Sequence, residues 1–168
     1  MAAVTAADMT LRFGTLRVPT TVHWPALETV SLALVLSDEL SPTDPWVRDC
    51  VIVGLAAAHP SSIELAALQW LSEHVDEFGA RGDHMLVAGG ARAARLALAA
   101  RDSGWPVLRR QVLVHPRFTA WQPMPRGVAG APPATVVCAA RLDGGRGYAA
   151  RLRAAGVEVH EVRDDRRR

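Results

Sequence analysis

The chain contains no lysine: apart from six histidines, its basic side chains are all arginines, and they nearly balance the 17 acidic residues to leave a formal net charge of +2. The arginines are scattered and aromatics make up 5% of the residues, so the basic patch interleaved with stacking rings that marks a nucleic-acid binder is missing. Consistent use of arginine in lysine's place is expected of a GC-rich bacterial coding sequence. Only two cysteines occur, Cys50 and Cys138, each inside an apolar run. That excludes a disulfide-stapled scaffold and predicts two small buried thiols in a reducing cytoplasm. No metal-ligand spacing surrounds them, and no metal or other cofactor is expected. The first residues lack a basic start followed by an apolar core, so no signal peptide is expected. No apolar stretch approaches the roughly 18 residues that a membrane span needs.

What is present is a length and a pattern. At 168 residues with 49% apolar composition, the chain reads as one domain over 1–168 with a sizeable core, rich in Ala, Val and Leu. Residues 1–8 and 164–168 are expected to be poorly ordered tails. Strands are expected over Leu11–Val18 and Thr20–Trp24, joined near Pro19, then over Val30–Leu36, Asp49–Leu55 and Met85–Ala88. Further strands follow at Gln111–Val114 and Ala134–Ala139, and Val157–Val162 alternates as a half-exposed edge strand does. A helix capped by Ser61 or Ser62, with Glu64 in its first turn, carries an apolar face down to about Phe78. Residues 41–48 form a short turn-rich piece, and 116–133, with five prolines, a loop.

The stretch from His84 to Arg101 organises the rest. Met85 to Ala88 is apolar, Gly89-Gly90 turns sharply, and Ala91 to Arg101 is made of strong helix formers ended through Gly104. Strands alternating with helices predict a three-layer αβα sandwich around a mainly parallel sheet. Ligands in such sheets bind at the carboxyl ends of the strands.

Several stretches resemble the α/β-hydrolases, most nearly the esterases of the hormone-sensitive-lipase branch. Ala67-Leu-Gln-Trp-Leu-Ser-Glu-His74 is similar to the helix before the family's nucleophile strand, and Gly82-Asp-His-Met-Leu-Val-Ala-Gly89 to that strand. Gln111-Val-Leu-Val-His-Pro116 is similar to the next strand. Pro132-Pro-Ala-Thr-Val-Val137 and Tyr148 to Val159 are similar to the acid-bearing strand and the helix and strand after it. The resemblance implies a reduced α/β-hydrolase fold without a lid. It also marks departures. The family's Gly-Asp-Ser-Ala-Gly-Gly elbow reads Gly89-Gly-Ala-Arg-Ala-Ala94, which puts Ala91 where the nucleophilic serine would stand. The glycine-rich oxyanion loop is replaced by Ser37-Asp38-Glu39. Asp143 lies near the family's acid position on a shorter loop, and the family's histidine position after the last strand is taken by Asp164-Asp-Arg-Arg-Arg168.

With that machinery changed, the candidate acid–base and charged groups are Asp38, Arg92 and His115, with Asp38 and Arg92 on neighbouring strand ends and able to pair. Ser37, Gly90, Ala91, Trp121 and Asp143 are the candidate ligand contacts. Two functions remain open. One is an enzyme that cyclises, isomerises or dehydrates a hydrophobic small molecule without an acyl-enzyme, as in bacterial natural-product biosynthesis. The other is an inactive pseudo-hydrolase that binds a ligand or a partner protein. A shortened crossover and an absent lid leave apolar surface that a homodimer would cover. Neither nucleic acid nor a membrane is expected as a partner.

Overall fold

In the computed structural model the described residues are 5–26, 31–36, 40–55, 58–138 and 144–164. They form eight strands and three α-helices: β1 Thr5–Phe13, β2 Leu16–Trp24, β3 Ser31–Leu36, β4 Cys50–Leu55, α1 Ser61–Glu73, β5 Met85–Gly89, α2 Ala91–Ser103, β6 Arg110–Val114, β7 Ala134–Cys138, α3 Gly145–Ala154 and β8 Val159–Arg163. One sheet runs β1-β2-β4-β3-β5-β6-β7-β8. β1 and β2 pair antiparallel, β2 and β4 likewise, and every pair from β4 to β8 is parallel. The mainly parallel sheet flanked by helices is the layout expected from the alternation of elements.

The central strands read as apolar runs because both of their faces are buried. In β3, Leu32, Leu34 and Leu36 join the larger core cluster, and Ala33 and Val35 join a smaller one on the opposite face. The larger cluster takes in Leu68 and Leu71 of α1, Leu96 of α2, and Tyr148 and Leu152 of α3. Among the described residues, the smaller cluster is covered by Leu40, Trp46 and Val47 from the segment between β3 and β4. That segment is a chain of turns, with the Arg48 N–H donating to Asp44 O at 2.9 Å, in agreement with the shrunken crossover expected there.

Several boundaries differ from those predicted. Residues 5–8, expected in a loose tail, open β1, and β1 and β2 meet around Gly14 (φ 60°), not around Pro19. Pro19 lies inside β2 opposite Thr10. It is tolerated because β4 pairs only with Thr20 to His23, so its missing N–H falls outside that ladder. α1 starts directly after Pro60 with no side-chain cap. Glu64 does not cap it but is buried, and a separate 3₁₀ turn at Val75–Phe78 follows the helix. α2 ends as predicted, with Gly104 left-handed at φ 75°.

The proline-rich segment 116–133 lacks periodic structure yet is firmly tied. Arg95 of α2 donates to Pro123 O at 3.1 Å, and Arg101 to Gly127 O and Ala129 O at 2.9 and 2.7 Å. Arg151 of α3 donates to Pro125 O at 2.7 Å. Gly144 receives the start of this segment closely: a Cβ there would come within 2.6 Å of the Phe118 ring.

Candidate functional site

β5 turns into α2 through Gly89, whose φ of 146° only glycine adopts readily, and Gly90. Ala91 begins the helix without the positive φ that a strained elbow imposes; among described non-glycine residues that backbone region is occupied by His115 alone, at φ 43°. No side chain caps α2, so its first-turn N–H groups face the strand ends, where they favour negative charge.

A cleft of about 210 Å³ opens at this point, lined by Leu36, Gly90, Ala91, Arg92, Val114, His115, Arg117 and Gln122. No serine or cysteine lines it among the described residues. A second hollow, of about 220 Å³ beside the carboxyl end of α2, is lined by groups such as Ala97, Ala100, Pro106 and Leu108, with Arg101 as its one ionisable group, and that side chain is committed to the loop carbonyls. The chemistry-bearing groups gather at the first.

His115 ends β6. Its side chain is 4% exposed, and its Nε2 stands 3.4 Å from Oδ2 of Asp164, just past β8. The Asp164 N–H donates to Cys138 O at 2.9 Å, which extends the β7–β8 ladder and fixes the carboxylate. Asp164, expected in a frayed tail, is therefore a structural partner of the candidate histidine. The sequence conceals this pairing because the two residues are 49 positions apart and meet only through strand order.

Arg92 lines the cleft, and among the described residues it pairs with Glu64 of α1. Both Nε (3.0 Å) and Nη2 of Arg92 donate to Glu64 Oε1. Glu64 is 5% exposed in its side chain and Arg92 26%, so this is a part-buried charge pair bracing the start of α2 against α1. Glu64 was missed as a site residue because its position suggested a helix cap. Gly90 and Ala91 lie at the cleft as expected. Trp121 does not. It is 94% exposed, at the tip of a tight turn in which Thr119 and Gln122 exchange backbone hydrogen bonds at 2.9 and 3.1 Å, and Gln122 enters the cleft wall instead. The acid–base candidate Asp38 and the candidate contacts Ser37 and Asp143 lie outside the described residues.

Solved esterases share this overall arrangement of sheet and helices. An esterase from Pseudomonas putida ECU1011 superposes with a TM-score of 0.77 at 23% identity, over 95% of this chain and 72% of that one. This is the α/β-hydrolase fold. A thermophilic carboxylesterase cloned from a metagenomic library superposes at 0.76 with 20% identity, over 95% of this chain and 78% of its own. The hyperthermophilic esterase of the archaeon Pyrobaculum calidifontis does so at 0.77 with 19% identity, over 95% and 75%. No family model matches the sequence, and no curated protein matches it. The match spans 72–78% of the length of these neighbours, and no helix among the described residues of this chain is long and apolar enough to cross a membrane.

Proposed function

We propose that this chain is an α/β-hydrolase-fold enzyme that moves a proton on a small hydrophobic molecule without forming an acyl-enzyme. The observation that carries the reading is that His115, paired with Asp164 behind it, lines the same cleft in which Ala91, a methyl group, occupies the elbow. An imidazole beside a carboxylate can take and return a proton, the carboxylate orienting the ring and stabilising its charged form. The uncapped start of α2, with Arg92 and Arg117, favours the oxygen on which negative charge grows when a carbon beside a carbonyl is deprotonated. Isomerisation, dehydration and cyclisation can all begin with such a step. The hydrolase neighbours are esterases, and the reading departs from theirs at Ala91, which has no oxygen with which to attack an ester. Two buried cysteines outside any disulfide and arginine-only basicity fit a cytoplasmic bacterial protein of small-molecule biosynthesis.

A second reading, a pseudo-hydrolase that binds without turnover, is favoured by the cleft's small size. Its about 210 Å³ falls short of the roughly 300–1,000 Å³ of ordinary ligand pockets.

Deuterium exchange separates the two. With cyclohexanone in D2O, followed by NMR, the wild-type chain is expected to exchange the protons beside the carbonyl faster than buffer does. His115→Gln should lose about a hundredfold of that acceleration, and Asp164→Asn a smaller part. A fluorophosphonate probe should leave the chain unlabelled. Labelling of a serine with a burst of ester hydrolysis would overturn the proposal, and exchange at the buffer rate would leave binding as the function.

A further inference from the structure

The face of the sheet that carries the smaller core cluster holds a groove which the cleft chemistry does not use. Pairing sets Leu86 beside Arg110, Val112 beside Thr135, and Thr135 beside His160, so these side chains share one face, near the amino ends of their strands. Two hollows, of about 380 and 200 Å³, adjoin at Arg110. Their floor is Leu86, Val112 and Thr135, all buried, and Trp46 forms a wall.

The rim carries positive charge without a matching acid. Arg109, Arg110, His84 and His160 line the hollows, and among the described residues no Asp or Glu does. The Arg109 guanidinium lies 2.6 Å from the His84 ring, whereas the side chains of Arg110 and His160 make no hydrogen bond or ion pair among the described residues. Two of the acids near these elements are engaged: Asp83 with Arg81 at 3.0 Å and, at 3.7 Å, with His84, and Asp49 with Arg48 at 3.8 Å. A guanidinium with no hydrogen-bond or ion-pair partner among the described residues, at the junction of two hollows, matches a ligand with one anionic end and an apolar body. A carboxylate satisfies the planar fork of arginine with two parallel hydrogen bonds, and an alkyl chain gains from covering the partly exposed Trp46 ring and the exposed Pro45.

We propose that this groove is a binding site for a medium-chain fatty carboxylate, with the carboxylate on Arg110 and the chain running along Trp46 and Pro45. It lies on a different part of the sheet from the cleft and does not depend on the cleft's reaction.

Calorimetric titration with decanoate, kept below its micelle concentration, tests this. One site per chain is expected, with 1-decanol bound at least about tenfold more weakly because it lacks the charge. Arg110→Ala should weaken decanoate about tenfold or more. Val112→Trp, which fills the floor, should do the same, and circular dichroism should show both variants folded. Arg110 is exposed, so Arg110→Ala keeps the test valid even where Val112→Trp unfolds the chain. Arg117→Ala, in the cleft, should leave affinity within about twofold. The proposal is overturned if decanoate gives no saturable binding up to about 1 mM, or if Arg117→Ala weakens it as much as Arg110→Ala. Light scattering that shows a dimer broken by Arg110→Glu would overturn it too, since a second copy would then own the face.

Discussion

Leu32, Leu34 and Leu36 of β3 pack toward three helices, whereas Ala33 and Val35, which alternate with them, pack toward a run of turns around Trp46. The same division holds along β5, where Met85 and Val87 belong to the helical side and Leu86 and Ala88 to the other. The helical side buries larger side chains and is closed by regular elements. The opposite side is built of smaller residues and ends in a groove where Arg110 has no hydrogen-bond or ion-pair partner among the described residues. A parallel sheet needs apolar cover on both faces, but the two covers need not be equal. Here one face supplies most of the packing, and the other keeps open surface and charge.

The largest expected effect that would break this contrast is in the helical core. Leu68→Ala, at a fully buried position of α1, should cost about 3–5 kcal/mol in urea unfolding. Trp46→Ala on the other face, where the ring is only partly buried, should cost about 1–2 kcal/mol. Equal costs would mean that the turn segment carries as much packing as the helices. Arg92→Ala should cost about 2–3 kcal/mol by stranding the buried Glu64 carboxylate, discounted for the partial exposure of Arg92. The double variant Arg92→Leu/Glu64→Leu should recover most of that loss, which a thermal melt would read.

Alkali probes one group on each face. Burial pushes the Cys50 thiol up to about 11, offset in part by Arg110, and burial pushes the Tyr148 phenol up to about 12. Both groups hold their proton more tightly folded than unfolded. Stability is therefore complete below about pH 9 and falls as pH rises through 9 to 11 for Cys50 and 10 to 12 for Tyr148. Each accounts for about 2–3 kcal/mol. Cys50→Ala should remove the lower step and leave the upper one in pH-resolved unfolding curves. A single unchanged step would show that the thiol does not titrate as its burial requires. The smallest effect is at Trp121, where Trp121→Ala should leave both stability and proton exchange unchanged, within about 0.5 kcal/mol for stability, because the ring touches solvent rather than the cleft.

Much of the fold was legible because its signals are local. Continuous apolar runs gave the central strands, and Gly104 marked where α2 ends, with a φ of 75°. The β1–β2 turn was misplaced because Pro19 punctuates strongly in sequence, while its effect depends on which neighbour it would have bonded. The candidate site was half legible. His115, Arg92, Gly90 and Ala91 follow from the rule that ligands gather at strand ends. Glu64 and Asp164 were not, since one resembled a helix cap and the other a charged tail. Trp121 was misread for the converse reason: an aromatic in a loop suggests a pocket wall, and only the Thr119–Gln122 turn decides that it faces water.

The chain's own residue order determined which segments are strands, which are helices, where glycine must turn them, and that a methyl group stands at the elbow. These follow from backbone sterics and from periods of two and 3.6 residues, which act over a few neighbours. Tertiary structure alone decided that Asp164 meets His115, that Glu64 meets Arg92, and that Arg110 stands where the two hollows of the opposite face adjoin. Those contacts join residues far apart along the chain, and their distances are set by strand order and register.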